Sequence, residues 1–404
     1  MPSLNQVAFI ERAVRSVFTQ VDIALELLVV DGGSTDGTQA LLAGLGDEFA
    51  PNLRWISEPD RGPANALNKA LAMAHGQLIG WLNADDAYMP GAAQRALAYL
   101  TAHPHHVMVY GHGEHIDAQD QPLGHYPSRP PAAGLPGFAD GCFICQPTVF
   151  MRQSVLQAAG GFDESQRTAF DMELWMKLFA AYPGCIGWLD ALQARSRLHA
   201  ATITSTQRSR VMRESMQLLA KHLGHAPLHW VRSHVDEVLA EHAAAPSGDD
   251  ARAQLNQLAA EVAPLLSPAD RLALRQWWTS DMRLRLLQPH LGLPVGYDGW
   301  LPASALMRVR EGAGTRVVMV GRHVSSLPGP LEVRIGDRDG HRITHIVRQP
   351  GQFRLEVPLT GACGPDGWHV TFEMAPAFTP SEHLAGSTDH RSLGCVVDQL
   401  QVLA

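Results

Sequence analysis

Cysteine is scarce in this chain of 404 residues. There are five, an odd number without regular spacing, which argues against a disulfide framework and for reduced thiols in a cytoplasmic protein. Charged residues make up only 18% and hydrophobic ones 46%, a balance that excludes a mostly disordered chain. Basic residues are in deficit: the net charge of −8 excludes a general nucleic-acid binder. No apolar run approaches the roughly 20 residues needed to span a bilayer. The start, Met1-Pro2-Ser3-Leu4-Asn5-Gln6, lacks the apolar core of a signal peptide. No Gly-Lys-Ser/Thr tripeptide occurs, so a Walker-type phosphate loop is absent. Gly312-Ala313-Gly314 lacks the third glycine and following helix of a dinucleotide motif.

What is present begins with an apolar strand over residues 25–30 that runs into Asp31-Gly32-Gly33-Ser34-Thr35-Asp36-Gly37-Thr38 and then a helical pattern. A carboxylate at the carboxyl end of a buried strand lies where open α/β sheets bind ligands. Ser34, Thr35 or Asp36 can cap the helix. An EF-hand loop fails here because Gly33 and Thr35 stand where oxygen ligands are needed. A second strand over 78–82 ends in Asn83-Ala84-Asp85-Asp86. Adjacent aspartates repel unless a cation or donors compensate, and Mg²⁺ or Mn²⁺ suits such hard oxygen ligands while keeping positions open for phosphate.

Strand and helix signals alternate to about residue 204, with strands expected at 25–30, 53–57, 78–82 and 107–110 and a Pro/Gly-rich loop over 127–141. Residues 205–291 read as helical, with Ser267 capping a helix that has Pro268 at its first position. Residues 292–404 carry short alternating runs at 316–320, 331–335, 342–347, 353–357, 368–373 and 393–397, the spacing of an antiparallel β-sandwich. Arg195, Arg197, Arg208, Arg210 and Arg213 read as a solvated basic face. Cys142 and Cys145 have redox or zinc spacing but no second pair, and read as buried structure. The histidines at 103, 105, 106, 112 and 115 read as surface residues beside a loop, and Trp300 and Trp368 as sandwich core rather than sugar platforms.

In order, Asp31-Gly-Gly-Ser-Thr-Asp-Gly-Thr, Glu58-Pro59-Asp60-Arg61-Gly62, Trp81-Leu-Asn-Ala-Asp85-Asp86, Gln146-Pro147, Gly161-Phe162-Asp163-Glu164, Phe170-Asp171-Met172-Glu173-Leu174-Trp175 and Arg197-Leu198-His199 resemble the motifs of family 2 glycosyltransferases. The resemblance covers roughly the first half of the chain. It implies an α/β GT-A fold, a mostly parallel sheet with helices on both faces, over 1–204; a helical segment and an accessory β-sandwich would follow. It implies that Asp31, Arg61, Ser3 and Asp85 bind the nucleotide, that Asp85, Asp86 and His199 hold a divalent cation (Mg²⁺ or Mn²⁺), that Asp171 is the catalytic base, and that Gln146, Pro147 and Trp175 line the acceptor pocket. The partners implied are a nucleotide-sugar donor and a glycan or lipid-linked acceptor in surface polysaccharide synthesis. Peripheral association with the inner membrane face and a homo-oligomer are compatible with it.

Elementary chemistry agrees with those roles. A departing nucleoside diphosphate needs a Lewis acid, and an acceptor hydroxyl needs a carboxylate to take its proton. One base opposite the leaving group gives a single inverting displacement. The chain departs from the family pattern in three places: the apolar strand before Pro2-Ser3-Leu4-Asn5-Gln6 is missing, so that either the start lies further upstream or the nucleotide site is weakened; Asn83 replaces an aspartate; and Glu173 stands two residues after Asp171. The competing reading is a catalytically weak relative that binds glycan or scaffolds an assembly. A nucleotidyltransferase would need a basic, glycine-rich phosphate loop near the N-terminus, which is absent.

Overall fold

The structure, a computed structural model, describes all residues except 243–248, 288–290, 297, 327–328, 361–362 and 385. Contacts divide the chain into two compact units, Met1–Ala226 and Pro227–Ala404, so the helical stretch of 205–291 is shared between them. Among the described residues no helix is long and apolar enough to cross a membrane.

In the first unit, β1 (Pro2–Ser3), α1 (Ile10–Phe18), β2 (Leu27–Asp31), α2 (Thr38–Glu48), β3 (Leu53–Ser57) and α3 (Pro63–Met73) alternate. The strands form a parallel sheet in the order β1-β2-β3, with Ser3 in register with Asp31 and Asp31 with Ser57. The two-residue period of β2 sends Leu27 and Val29 into a cluster with Val14 of α1 and Leu42 of α2, and Leu28 and Val30 into another with Ala66 and Ala70 of α3. Helices therefore cover both faces of this sheet. Next come β4 (Leu78–Gly80), β5 (Ala87–Tyr88), α4 (Ala92–Ala102), β6 (Met108–Ile116), β7 (Pro122–His125), β8 (Phe150–Arg152), α5 (Gln153–Ala158), α6 (Phe170–Ala181), β9 (Ile186–Arg197), α7 (Ile203–Thr206) and α8 (Arg208–Leu223). The second sheet has the order β4-β8-β6-β9-β5, and its β6–β9 pair is parallel.

The strand expected at 78–82 ends at Gly80, because the chain there turns into the aspartate loop; Trp81 and Leu82 are buried without pairing. Gly80 has no room for a side chain: a Cβ would lie 2.6 Å from the Tyr88 hydroxyl and 2.7 Å from the Phe150 ring. In the place of the first strand stands the two-residue β1, and a cavity of about 530 Å³, lined by Leu28, Leu67, Ile79, Trp81 and Phe150 among others, lies between β2 and β4. The long β9 lies outside the strands expected, because its polar Asp190, Gln193 and Arg195 break the apolar alternation.

The second unit opens with α9 (Leu228–His242), α10 (Asp249–Val262), α11 (Pro268–Ser280) and α12 (Met282–Leu286). Ser267 Oγ accepts from Asp270 N at 3.0 Å, the cap expected ahead of Pro268. The strands β10 (Leu291–Gly292), β11 (Trp300–Pro302), β12 (Ser304–Val309), β13 (Arg316–His323), β14 (Leu331–Asp337), β15 (Arg342–Val347), β16 (Gly351–Pro358), β17 (Trp368–Ala375) and β18 (Leu393–Leu403) form two antiparallel sheets, β10-β12-β17-β14-β15 and β11-β18-β13-β16. Alternating residues of both sheets, among them Met307, Val333 and Phe372 from one and Met319, Leu355 and Val397 from the other, meet in one core, as a sandwich requires.

Candidate active site

The loops after β1 and β2 are stitched together. Asn5 N donates to Ser34 Oγ at 2.7 Å, Gln6 N to Thr38 Oγ1 at 2.9 Å and Val7 N to Asp36 Oδ2 at 3.0 Å. Asp36 Oδ1 accepts from Thr38 N at 3.0 Å, one residue ahead of Gly37, which takes the N-cap position of α2. Asp31 is fully buried, and its carboxylate accepts from Ser34 N at 2.8 Å, Ser34 Oγ at 2.5 Å and Ser57 Oγ at 2.7 Å. Burial works against its charge, but these donors together hold its pKa below the ordinary value. Asp31 thus shapes the turn from within. Beside it, Ser3 is buried with a hydroxyl that has no partner. An orphaned buried hydroxyl next to a strand-end turn marks a place where a ligand can complete the bonding.

At the end of β4, Asp85 Oδ2 stands 3.2 Å from His199 Nε2, and the His199 ring packs 4.8 Å from that of Phe9. Asp86 is turned inward: Oδ1 accepts from Arg197 N at 2.8 Å and Oδ2 from Asn83 Nδ2 at 3.1 Å. Burial first, and the charge of Asp85 second, push the Asp86 pKa well above the carboxylate range in spite of those bonds. Two adjacent carboxyl groups that repel each other when ionised, with an imidazole in front of them, are a donor set suited to a hard divalent cation. Asp85 and His199 offer the accessible ligand atoms, and Asp86 stands behind them. Among the described residues, three candidate ligands lie within mutual reach of one ion only at Asp337, Asp339 and His341, on an exposed turn. The histidines at 103, 105, 106, 112 and 115 form no such group.

Arg197 corrects the expected solvated face. Its side chain is 1% exposed, and it donates to Asp85 O at 2.8 Å, Asp117 O at 2.7 Å and Asp120 Oδ1 at 2.5 Å. Its guanidinium also lies 5.0 Å from the centre of the Phe9 ring. It therefore fixes the aspartate loop from behind. Arg61 remains largely exposed, and its guanidinium pairs with Glu164, which also accepts from Asn65 and Asn68. Those donors lower the Glu164 pKa to about 2, with Asn68 the largest contributor.

Asp171 lies in the first turn of α6. Its carboxyl accepts from Met172 N at 2.7 Å. It keeps some accessible surface, but protein encloses it closely enough for desolvation to raise its pKa to about 6. Trp81, at the end of β4, stacks on Phe170 at 5.2 Å and so ties this helix start to the aspartate loop. Residues 142–145 run between the two: the Asp171 charge helps raise the pKa of Cys142, and the Asp86 charge that of Cys145, burial dominating in both. Cys142 and Cys145 are free thiols, Cys145 fully buried.

Gln146 reaches the same loop. Its Nε2 donates to Trp81 O at 2.6 Å and its Oε1 accepts from Asn83 Nδ2 at 2.9 Å. Pro147 and Trp175 are not brought to a surface. Both are buried, and Trp175 packs 6.4 Å from Trp81, so its indole can support a pocket but cannot touch a ligand here. Glu173 is buried as well and lies 3.3 Å from Lys177 and 3.6 Å from Lys221. Sequence reasoning missed Glu214 of α8, whose carboxylate accepts from the backbone of Arg167, Thr168 and Ala169 just before Asp171. No local signal could have found it, because its partners lie at least 45 positions away.

Residues 1–158 match the family described as glycosyl transferase family 2. An uncharacterized glycosyltransferase of Rickettsia prowazekii is 26% identical over 219 residues, covering 51% of this chain and 65% of that protein. Chondroitin synthase of Escherichia coli is 27% identical over 185 residues, covering 45% of this chain and 26% of that protein. The chain thus spans less than two thirds of the length of these relatives. The crystal structure of S. aureus TarS aligns with a TM-score of 0.48 at 17% identity, covering 89% of this chain and 71% of that one. The mannosyltransferase PcManGT of Pyrobaculum calidifontis, in complex with GDP-Man and Mn²⁺, aligns with a TM-score of 0.42 at 19% identity, covering 70% of this chain and 83% of that one.

Proposed function

Because residues 1–158 belong to glycosyltransferase family 2, we propose that this protein moves a sugar from a nucleotide-diphosphate donor to a hydroxyl of a glycan or lipid-linked acceptor, with inversion and with a divalent cation. The observation that carries the reading is the tie between Asp171 and the Asp85–Asp86 loop through the Trp81–Phe170 stack. It holds a carboxylate of raised pKa and a carboxylate–imidazole pair in one neighbourhood at the end of β4.

In this reading the nucleotide lies along the ends of β1 and β2, where the Ser3 hydroxyl lacks a partner and Asp31 shapes the turn. Arg61 stands at its rim. Asp85 and His199 would hold the cation, with Asp86 behind them; such an ion would supply Lewis-acid stabilisation for the charge of the departing diphosphate. Asp171 takes the acceptor proton as the hydroxyl oxygen attacks the anomeric carbon from the face opposite the leaving group. A carboxylate with a pKa of about 6 is a better proton acceptor than an ordinary aspartate and is still ionised at neutral pH. Gln146 orients the loop edge toward the acceptor, while Pro147 and Trp175 back the pocket. The acceptor in this reading is a glycan and the setting surface polysaccharide synthesis, a choice supported by the similarity to a protein named chondroitin synthase.

Binding of UDP-, GDP- and dTDP-sugars, followed by calorimetry with and without Mn²⁺, tests the reading, together with release of free sugar or transfer to added glycans. One donor should bind in a cation-dependent way and turn over. Cation-dependent binding without any turnover would favour the alternative, a catalytically weak relative that binds glycan. No binding of any donor would overturn both the nucleotide and the metal assignments.

A further inference from the structure

The sandwich of the second unit has an open side. Its sheets end there on β15 and β16, which follow one another in the chain and are joined by residues 348–350. Among the described strands β15 pairs only with β14, and β16 only with β13, so each leaves one edge of backbone N–H and C=O groups without a strand beside it. Such an edge is a template for a further strand. The core also runs out here. Ile343 of β15 stands opposite Ile335 and shares its inward face, yet Ile335 is buried and Ile343 is 44% exposed. On β16 the inward Leu355 and Val357 are buried and Phe353 only partly, while the outward Gln352, Arg354, Glu356 and Pro358 are all exposed.

The residues of β16 are complementary to a second copy of themselves. Turned antiparallel about Leu355, a second β16 sets Arg354 opposite Glu356 and Glu356 opposite Arg354, with Phe353 opposite Val357 on the inward face. Opposite charges directly across a ladder attract and like charges repel. Other registers lose this match. A two-fold at Arg354 or at Glu356 sets like charges face to face, and so does parallel pairing in register. A two-fold between residues sets apolar side chains opposite charged ones. Within one copy the Glu356 carboxylate accepts from Arg354 Nη2 at 2.8 Å and from Arg316 Nη1 at 3.1 Å. All three side chains are about half exposed, so these bonds are weak and exchange readily. A carboxylate with two oxygens can accept from a guanidinium across the interface as well.

We propose that two copies of this chain associate through β16, antiparallel about Leu355, so that the sheet ending on β16 runs on from one copy into the other. Because β15 lies on the same side, the same two-fold brings its edge toward its counterpart and covers Ile343. Ladder bonds and apolar contact supply the attraction, and the Arg354–Glu356 pairs choose the register. The inference concerns the second unit alone and holds whether or not the first unit transfers sugar.

Sedimentation velocity on the full chain, followed up to about 100 μM, tests this. The parent should be a dimer at the upper end of that range. Glu356→Arg sets arginine opposite arginine in both symmetry-related pairs, and Arg354→Glu sets glutamate opposite glutamate. Each variant alone should self-associate at least about tenfold more weakly than the parent. An equimolar mixture of the two should recover the dimer, because every cross-strand pair then joins one arginine to one glutamate. That recovery cannot come from repair within a chain, since each variant has lost its own Arg354–Glu356 pair. Both side chains are exposed, so thermal melting should change little, and nucleotide-sugar binding should be unchanged. The proposal is overturned if the parent stays monomeric up to that limit, if either variant associates as well as the parent, or if the mixture associates no better than its components.

Discussion

Glu214 holds Thr168 twice: its Oε2 accepts from both the backbone N–H and the hydroxyl of Thr168, each at 2.8 Å. The same oxygen accepts from the N–H groups of Arg167 and Ala169 at 3.1 Å. A helix start has N–H groups without intrahelical partners, and here a carboxylate from α8 satisfies those in the turn leading to Asp171. Glu214→Ala should therefore leave part-buried donors without their protein partner and lower stability by about 1 kcal/mol, read by urea denaturation. It should also lower kcat with little change in nucleotide-sugar affinity, because Asp171 would be less well placed. Glu214→Gln retains an acceptor oxygen and should recover part of both losses. An alanine variant with unchanged stability would show that water replaces the carboxylate.

The cation prediction rests on Asp85 and His199, 3.2 Å apart. Chelator should abolish nucleotide-sugar binding or turnover, and Mn²⁺ should restore it. Asp85→Ala should raise the Mn²⁺ concentration needed for half-maximal activity by an order of magnitude or more, and His199→Ala should shift it in the same direction. Both variants should fold, since the side chains lie at a strand end outside the apolar core. Full activity in excess chelator would remove the metal from the mechanism.

Arg197 and Asp120 test the scaffold beneath that pair. Arg197 is buried and bonds three acceptors at once, a geometry that a single ammonium cannot reproduce. Burial alone would raise the Asp120 pKa, but Arg197 and Arg12 hold it below the ordinary value. Asp120 therefore adds stability at neutral pH that is lost as pH falls through its depressed folded pKa. Arg197→Lys should lower the melting temperature of the first unit by several degrees, about 2–4 °C per kcal/mol for a unit of this size. Asp120→Asn should lower it at pH 7 and less so near pH 3.

Much of this arrangement can be read from the residues. The strands at 53–57 and 342–347 coincide with Leu53–Ser57 and Arg342–Val347, because turn residues flank compact apolar or alternating runs. The aspartate loop is legible because two adjacent carboxylates at the end of an apolar strand repel each other and so demand a cation or donors. Residues 81 and 82 read as strand since burial and pairing leave the same apolar signature, yet only the second makes a ladder. Arg197 reads as surface because its acceptors are carbonyls and a carboxylate at positions 85, 117 and 120, which the pairing of β9 with β5 and β6 brings near. The Glu214 contacts are tertiary in the same sense.

Asn83 joins three partners, and two of the contacts depend on its being an amide. Its Nδ2 donates to Asp86 Oδ2 at 3.1 Å and to Gln146 Oε1 at 2.9 Å, while its Oδ1 accepts from Trp81 Nε1 at 2.9 Å. Aspartate has nearly the same shape but no donor. Asn83→Asp would keep the indole bond, lose both donations and set a third carboxylate near Asp85 and Asp86. The fold should lose about 1–3 kcal/mol for the unpaired buried acceptors, measured by thermal melting. Asn83→Ala loses the same donations without adding charge and should be less destabilised. An aspartate variant as stable as the parent would mean that Asp86 does not need its amide donor.

Asp171 gives the last prediction, and its sign is opposite to that of Asp120. Desolvation raises its folded pKa from 3.8 to about 6, in spite of bonds from the backbone at Met172 and at its own residue. Between those two values the folded protein binds more proton than the unfolded chain. Stability from this group is therefore fully present below pH 3.8 and is lost as pH rises through about 6. At pH 7 the ionised carboxyl costs on the order of 2–3 kcal/mol. The base function requires that same ionised form, so turnover should rise with pH through about 6. Asp171→Asn should reduce turnover by ~10²–10⁴-fold and at pH 7 should melt at a higher temperature than the parent, the gain vanishing near pH 4. Nucleotide-sugar affinity should change little. Glu173→Gln, whose side chain leaves α6 on a different face, should cost far less turnover than Asp171→Asn. If Glu173→Gln abolishes transfer and Asp171→Asn does not, the base has been assigned to the wrong carboxylate. If Asp171→Asn loses activity but also loses stability at pH 7, the carboxyl is holding the helix start together, and its raised pKa does not reflect a catalytic role.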